Sequence, residues 1–138
     1  MNWITNTMIV PHPPIILPNI GKGEEKKIQN IIEAYRSASK KLIESDPETV
    51  VIISPHAPSY YDYIQISKGK KGQGNLYQFN DVKDQFEILY DQQLIHEIDT
   101  LCREADLPAG TLGRHDGQLD HGAMIPLYFL KGLPSATK

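Results

Sequence analysis

The sequence is short of cysteine, of long apolar runs and of positive charge, and each shortage removes a class of function. A single cysteine, Cys102, leaves no intramolecular disulfide and no multi-cysteine zinc site. No apolar stretch approaches the roughly 18 residues that a membrane-spanning helix needs. Residues 1–6 lack the basic start and apolar stretch of a secretory signal, so a cytoplasmic soluble protein is the default expectation. With 14 Lys and Arg against 17 Asp and Glu, the net charge of −3 argues against a nucleic-acid binder that works through a basic face. Nucleotide binding is disfavoured too: Gly21-Lys22-Gly23 is too short for a phosphate loop and follows no strand directly. No Gly-x-Ser-x-Gly elbow is present.

What remains suits one domain. A chain of 138 residues, 40% of them hydrophobic, can bury roughly two-thirds of its unfolded surface without staples. Residues 7–10 read as a short strand ended by Pro11. A helix is predicted over residues 24–45, because Ile28, Ile31, Ile32, Tyr35, Ala38, Leu42 and Ile43 recur at three- and four-residue spacing. Asp46-Pro47 stops it. Residues 49–54 are apolar without alternation and rich in β-branched side chains, the pattern of a strand buried on both faces of a parallel sheet. Strand, helix and strand in that order form a βαβ unit. The expected fold class is therefore α/β, a central and mainly parallel sheet flanked by helices, with Val10 and Ile53 on adjacent strands.

The middle of the chain is less patterned. Residues 63–67 alternate like a strand with one wet face, and the glycine-rich residues 68–74 read as an exposed hairpin tip. Short strands are expected at 76–79 and 86–90. A helix over 92–105 places Cys102 on its apolar side as a small core residue. Residues 108–117 read as loop, and a last helix falls within 122–131 before Gly132 and Pro134.

Two of the five histidines share a setting. His12 and His56 each follow an expected buried strand by one or two residues, and each is flanked by prolines within two positions on both sides. Ligand sites in open α/β sheets gather outside the carboxyl ends of the strands. The 44 residues between them are what a strand, a long helix and a return strand consume. On neighbouring strands the two imidazoles arrive at one edge, about 5–10 Å apart at ~4.8 Å per strand step. Proline-stiffened loops hold side chains still, which a metal site requires. A lone histidine in such a place ordinarily bonds a nearby carbonyl; two in matched frames favour a shared site. The pair alone identifies neither metal nor reaction, and zinc suits it as well as iron. His121, after the N-cap residue Asp120, lies at a helix start and is as compatible with a structural as with a functional role. There the helix dipole favours a neutral ring and Asp120 opposes it; with Asp120 turned to the amides, a mostly neutral His121 is expected. His115 reads as a turn residue at the rim of the site, and His96 as a solvated helix residue.

Pro-His-Pro-Pro-Ile-Ile at 11–16, Ile-Ser-Pro-His-Ala-Pro at 53–58 and Leu-Asp-His-Gly-Ala-Met-Ile-Pro-Leu-Tyr-Phe-Leu at 119–130 resemble the catalytic B subunit of class III extradiol ring-cleavage dioxygenases. The closest branch is that of the AmmeMemoRadiSam system protein B, which includes the Memo proteins. All three motifs occur in the family's order. The resemblance implies His12 and His56 as two ligands of a non-haem Fe(II), and His121 as the acid/base that touches a bound catechol. It also implies a third ligand, a glutamate, and a further histidine, neither with a counterpart in these 138 residues. One domain, the N-terminal portion of a longer one, is therefore expected, with an aromatic diol and O₂ as substrates and a homo-oligomer or partner subunit in prospect. No nucleic-acid or membrane partner is implied. Two competing readings stay open: a Memo-like, non-catalytic metal- or ligand-binding scaffold, and a hydrolase using Zn(II).

Overall fold

The computed structural model describes residues 4–113 and 117–134. From residue 4 to Pro13 the chain has no helix or paired strand; it then turns through a 3-10 segment at Pro14–Ile16 and enters a four-residue helix α1 (Pro18–Gly21). This sharp double turn buries Ile16 and Leu17 completely. Residues 24–28, expected as helix, form a 3-10 segment instead, because Ile28 at φ −119° and ψ 30° interrupts the helical register. Helix α2 (Gln29–Glu44) then runs for 16 residues with Ile32, Tyr35 and Ser39 buried. It stops where the proline requires: Asp46 turns left-handed at φ 48°, and its amide donates to the Ile43 carbonyl.

The fold is α/β, with one parallel and one antiparallel two-stranded sheet among the described residues. The parallel sheet pairs β1 (Ile64–Gln65) with β4 (Ala109–Gly110), so part of the expected 108–117 loop is strand. The antiparallel sheet pairs β2 (Lys71–Asn75) with β3 (Gln85–Leu89). Here the sequence reading is corrected in part: Gly69 lies in a bend at φ 104°, but Gly72 and Gly74, read with it as a hairpin tip, lie within β2. A Cβ on Gly74 would stand 2.5 Å from Met124 Sδ and 3.0 Å from Leu119 Cβ. The glycine admits a neighbour; it does not mark a turn. Residues 77–79 are likewise a 3-10 turn (Tyr77–Phe79), not the expected strand.

A second correction concerns the central sheet. Residues 7–10 and 49–54 form no hydrogen-bonded ladder, so Val10 and Ile53 are not on paired parallel strands. Both segments alternate in burial with a period of two, as extended chain does. Val50 and Ile52 face inward, while Val51 is 68% and Ile53 92% exposed, and Ile9 is wholly exposed. A parallel strand is stable where both of its faces are covered. The described residues cover one face only.

Two further α-helices lie among the described residues. Helix α3 (Gln92–Glu104) is capped by Asp91, whose carboxylate accepts from the Leu94 amide at 3.1 Å, and it buries Cys102. His96 is exposed on it, as expected. Helix α4 (His121–Phe129) is capped by Asp120 and passes through the core. Its Met124 and Ile125 are buried with Ile16, Leu17, Ile32, Tyr35, Leu76 and Phe86, and Tyr35 stacks on Phe129 at 4.1 Å. Burial pushes the Tyr35 hydroxyl well above the usual tyrosine range. No helix among the described residues is long and apolar enough to cross a membrane.

Candidate metal centre

Three segments far apart in sequence meet at one point. The stretch after residue 10 brings His12, the stretch after residue 54 brings His56, and the first turn of α4 brings His121. One ring nitrogen from each lies within 4.8 Å of the others. Nε2 of His12 and Nε2 of His56 are 2.9 Å apart, so one of them donates and the other accepts. The His56 and His121 rings stack at 4.1 Å with 29° between their planes, and His12 is 5.8 Å from His121. His56 is exposed and the other two are half-buried, leaving the cluster open on one side.

The N-terminus of α4 is tied to the loop that carries His56. Asp120 Oδ1 accepts from the Ala123 amide at 3.3 Å and from the Ser54 hydroxyl. Ser54 Oγ in turn accepts from the His56 amide at 3.3 Å. One carboxylate therefore caps the helix of His121 and fixes the loop of His56. Gly122 allows the two to approach. A Cβ there would stand 2.9 Å from Asp120 Oδ1 and 3.1 Å from His56 Cδ2, and closer still to Ser54 Oγ. Gly122→Ala gains about 1 kcal/mol in helix propensity, against an overpacking cost of about 1–3 kcal/mol. The expected outcome is a small change in melting temperature and a clear loss of metal affinity, because the displaced element is the His56 loop. Parallel melting curves and metal titrations check it.

The ring of His121 is shifted towards the neutral form. Burial contributes most, the neighbouring His56 and His12 act in the same direction, and Asp120 opposes them. The expected neutrality at pH 7 agrees in direction, though the leading cause is burial and not the helix dipole. Beside His121 stands Phe79, its ring 5.3 Å away at 72°.

The donor set fits a divalent metal. Two nitrogens held at ~2.1 Å from one ion are about 3 Å apart at right angles and about 3.4 Å apart in a tetrahedron. The 2.9 Å between His12 and His56 is close to the first. Among the described residues, the three histidines form the one group of ligand atoms this close, and no carboxylate joins it. His115, expected at the rim, lies outside the described residues. Sequence reasoning singled out all three histidines and the cap Asp120. It missed Gly122, Ser54 and Phe79 as parts of the site, although the first two stood inside the motifs that drew attention.

The family model for the catalytic LigB subunit of aromatic ring-opening dioxygenase matches residues 6–137. A protein of Clostridium acetobutylicum, named only as Protein CA_C1420, is 31% identical over 129 residues. That match takes in 88% of this chain and 28% of the relative, so the chain spans less than a third of that relative's length. No solved structure matches the chain. The matched span takes in all three histidine motifs, and this chain belongs to the family of the catalytic LigB subunit of aromatic ring-opening dioxygenases.

Proposed function

We propose that this chain supplies the histidine part of a non-haem Fe(II) centre for extradiol cleavage of a catechol-type ring with O₂. The observation that carries the reading is the convergence of His12, His56 and His121 within 4.8 Å in a member of this family. His12 and His56 hold the metal through their facing Nε2 atoms. A facial set of two histidines and one carboxylate leaves positions open on Fe(II) for both the diol and O₂. His121, neutral and fixed at the first position of α4, accepts a hydroxyl proton from the diol at a ring nitrogen and returns it during ring opening. Phe79 and the half-burial of His121 keep bulk water from one side of that ring.

Anaerobic loading with Fe(II), followed by oxygen uptake with a panel of catechols, tests the proposal. The assay includes added propionate, which can occupy the carboxylate position that the histidine cluster does not fill. Uptake matched mole for mole by ring-opened product supports it. Stable metal binding with no diol-dependent uptake favours a binding scaffold of the Memo kind.

One observation favours a second reading. The ligand atom of His121 lies within 4.8 Å of the other two, so a modest turn of its ring would bring it to a metal that they hold, and three histidines suit Zn(II) in a hydrolytic site. Metal analysis of the purified protein, and the fate of the metal when His121 is replaced, separate the two.

A further inference from the structure

Among the rings around His121, Phe79 is the one apolar partner, since His12 and His56 are the others described. Phe79 is half-buried: one side packs on the core, and part of its surface stays open. Its position is fixed at both ends of a three-residue turn. Leu76, just before, is fully buried, and its carbonyl accepts from the amides of Phe79 at 2.9 Å and Asp81 at 3.3 Å. Asn80 turns left-handed at φ 62°. Asp81, 1% exposed, accepts from the amides of Lys83 and Asp84, while Asp84 is held by Asn19 at 2.9 Å and Lys131 at 2.8 Å. These hydrogen bonds through Asp81 Oδ1 and Asp84 tie the loop to the segments around it.

A rigid apolar ring beside an open set of polar ligands has little to offer a small polar substrate. It suits a flat, apolar one. We propose that Phe79 is a specificity-determining residue, the wall against which the aromatic ring of a bound diol packs while its two oxygens face the histidines. This rests on the ring-cleavage reading above and adds to it the residue that recognises the ring. The Phe79 and His121 rings already meet in an edge-type contact, centroids 5.3 Å apart at 72°, so a substrate ring beside His121 lies within reach of Phe79. Aromatic pairs contribute enough beyond buried area to change affinity about three- to tenfold.

The test uses two bidentate oxygen ligands, one with a ring and one without. 4-Nitrocatechol and oxalate are titrated anaerobically into the Fe(II)-loaded wild type, Phe79→Leu and Phe79→Ala. Phe79→Leu keeps most of the apolar volume on the core and guards against a folding defect in the smaller variant. The expected result is three- to tenfold weaker 4-nitrocatechol binding in both variants, with oxalate and metal affinities unchanged. Phe79→Ala should also tolerate 4-tert-butylcatechol better than the wild type does. Equal 4-nitrocatechol affinity in all three proteins overturns the role of Phe79 and leaves the ring-cleavage reading intact. Equal losses for both ligands, or for the metal, make Phe79 structural and overturn the proposal. A wild type that binds metal but no 4-nitrocatechol overturns both readings together.

Discussion

His12→Ala and His56→Ala will each lower divalent-metal affinity more than about a hundredfold, since loss of a mere outer partner of a ligand already costs 10–100-fold. Their Nε2 atoms face each other at 2.9 Å, so each substitution removes one of two directly opposed donors. The remaining ligand and His121 do not replace it, because a proline-stiffened loop holds the first and the start of α4 holds the second. The fold should tolerate both changes. His56 is exposed and His12 half-buried, neither belongs to the core, and stability should move by no more than about 0.5 kcal/mol. Calorimetric titration with Fe(II) or Zn(II), alongside thermal melts, reads both quantities. Equal binding by the parent and both variants would show that the two histidines are not ligands.

His121→Phe should retain the metal and lose about 10²–10⁴-fold in turnover, the usual share of a positioned acid/base. Phenylalanine keeps a flat ring against His56 and Phe79, so the stacking at 4.1 Å and the edge contact at 5.3 Å can survive. It removes both ring nitrogens, and with them any proton transfer. The assay is oxygen uptake under the conditions that support turnover in the parent, with metal content measured on the same sample. Loss of metal would make His121 a third ligand and favour the zinc reading. Unchanged turnover would return His121 to a structural role at the start of α4.

The sequence by itself determined the local chemistry of this protein. Three- and four-residue spacing placed α2 and α3, Asp120 announced the start of α4, and Asp46-Pro47 ended α2, because these signals act within one or two turns of the chain. The matched proline frames of His12 and His56 and the motif around His121 drew attention to the three histidines that the fold brings within 4.8 Å. Only the tertiary structure decided what lies against what. The β-branched run at 49–54 looked buried on both faces, yet Val51 and Ile53 stand in solvent, since burial depends on which elements cover a segment. Gly72 and Gly74 read as turn residues but sit in β2. At Gly74 the room left by the missing side chain goes to Met124 and Leu119 from distant segments. Phe79 reached the site for the same reason: its turn hangs on a buried Asp81 and on Asp84, which is tied to Asn19 and Lys131. Residue types and spacing report interactions along the chain, whereas a neighbour 40 or more residues away acts through packing and hydrogen bonds that exist only once the chain has folded.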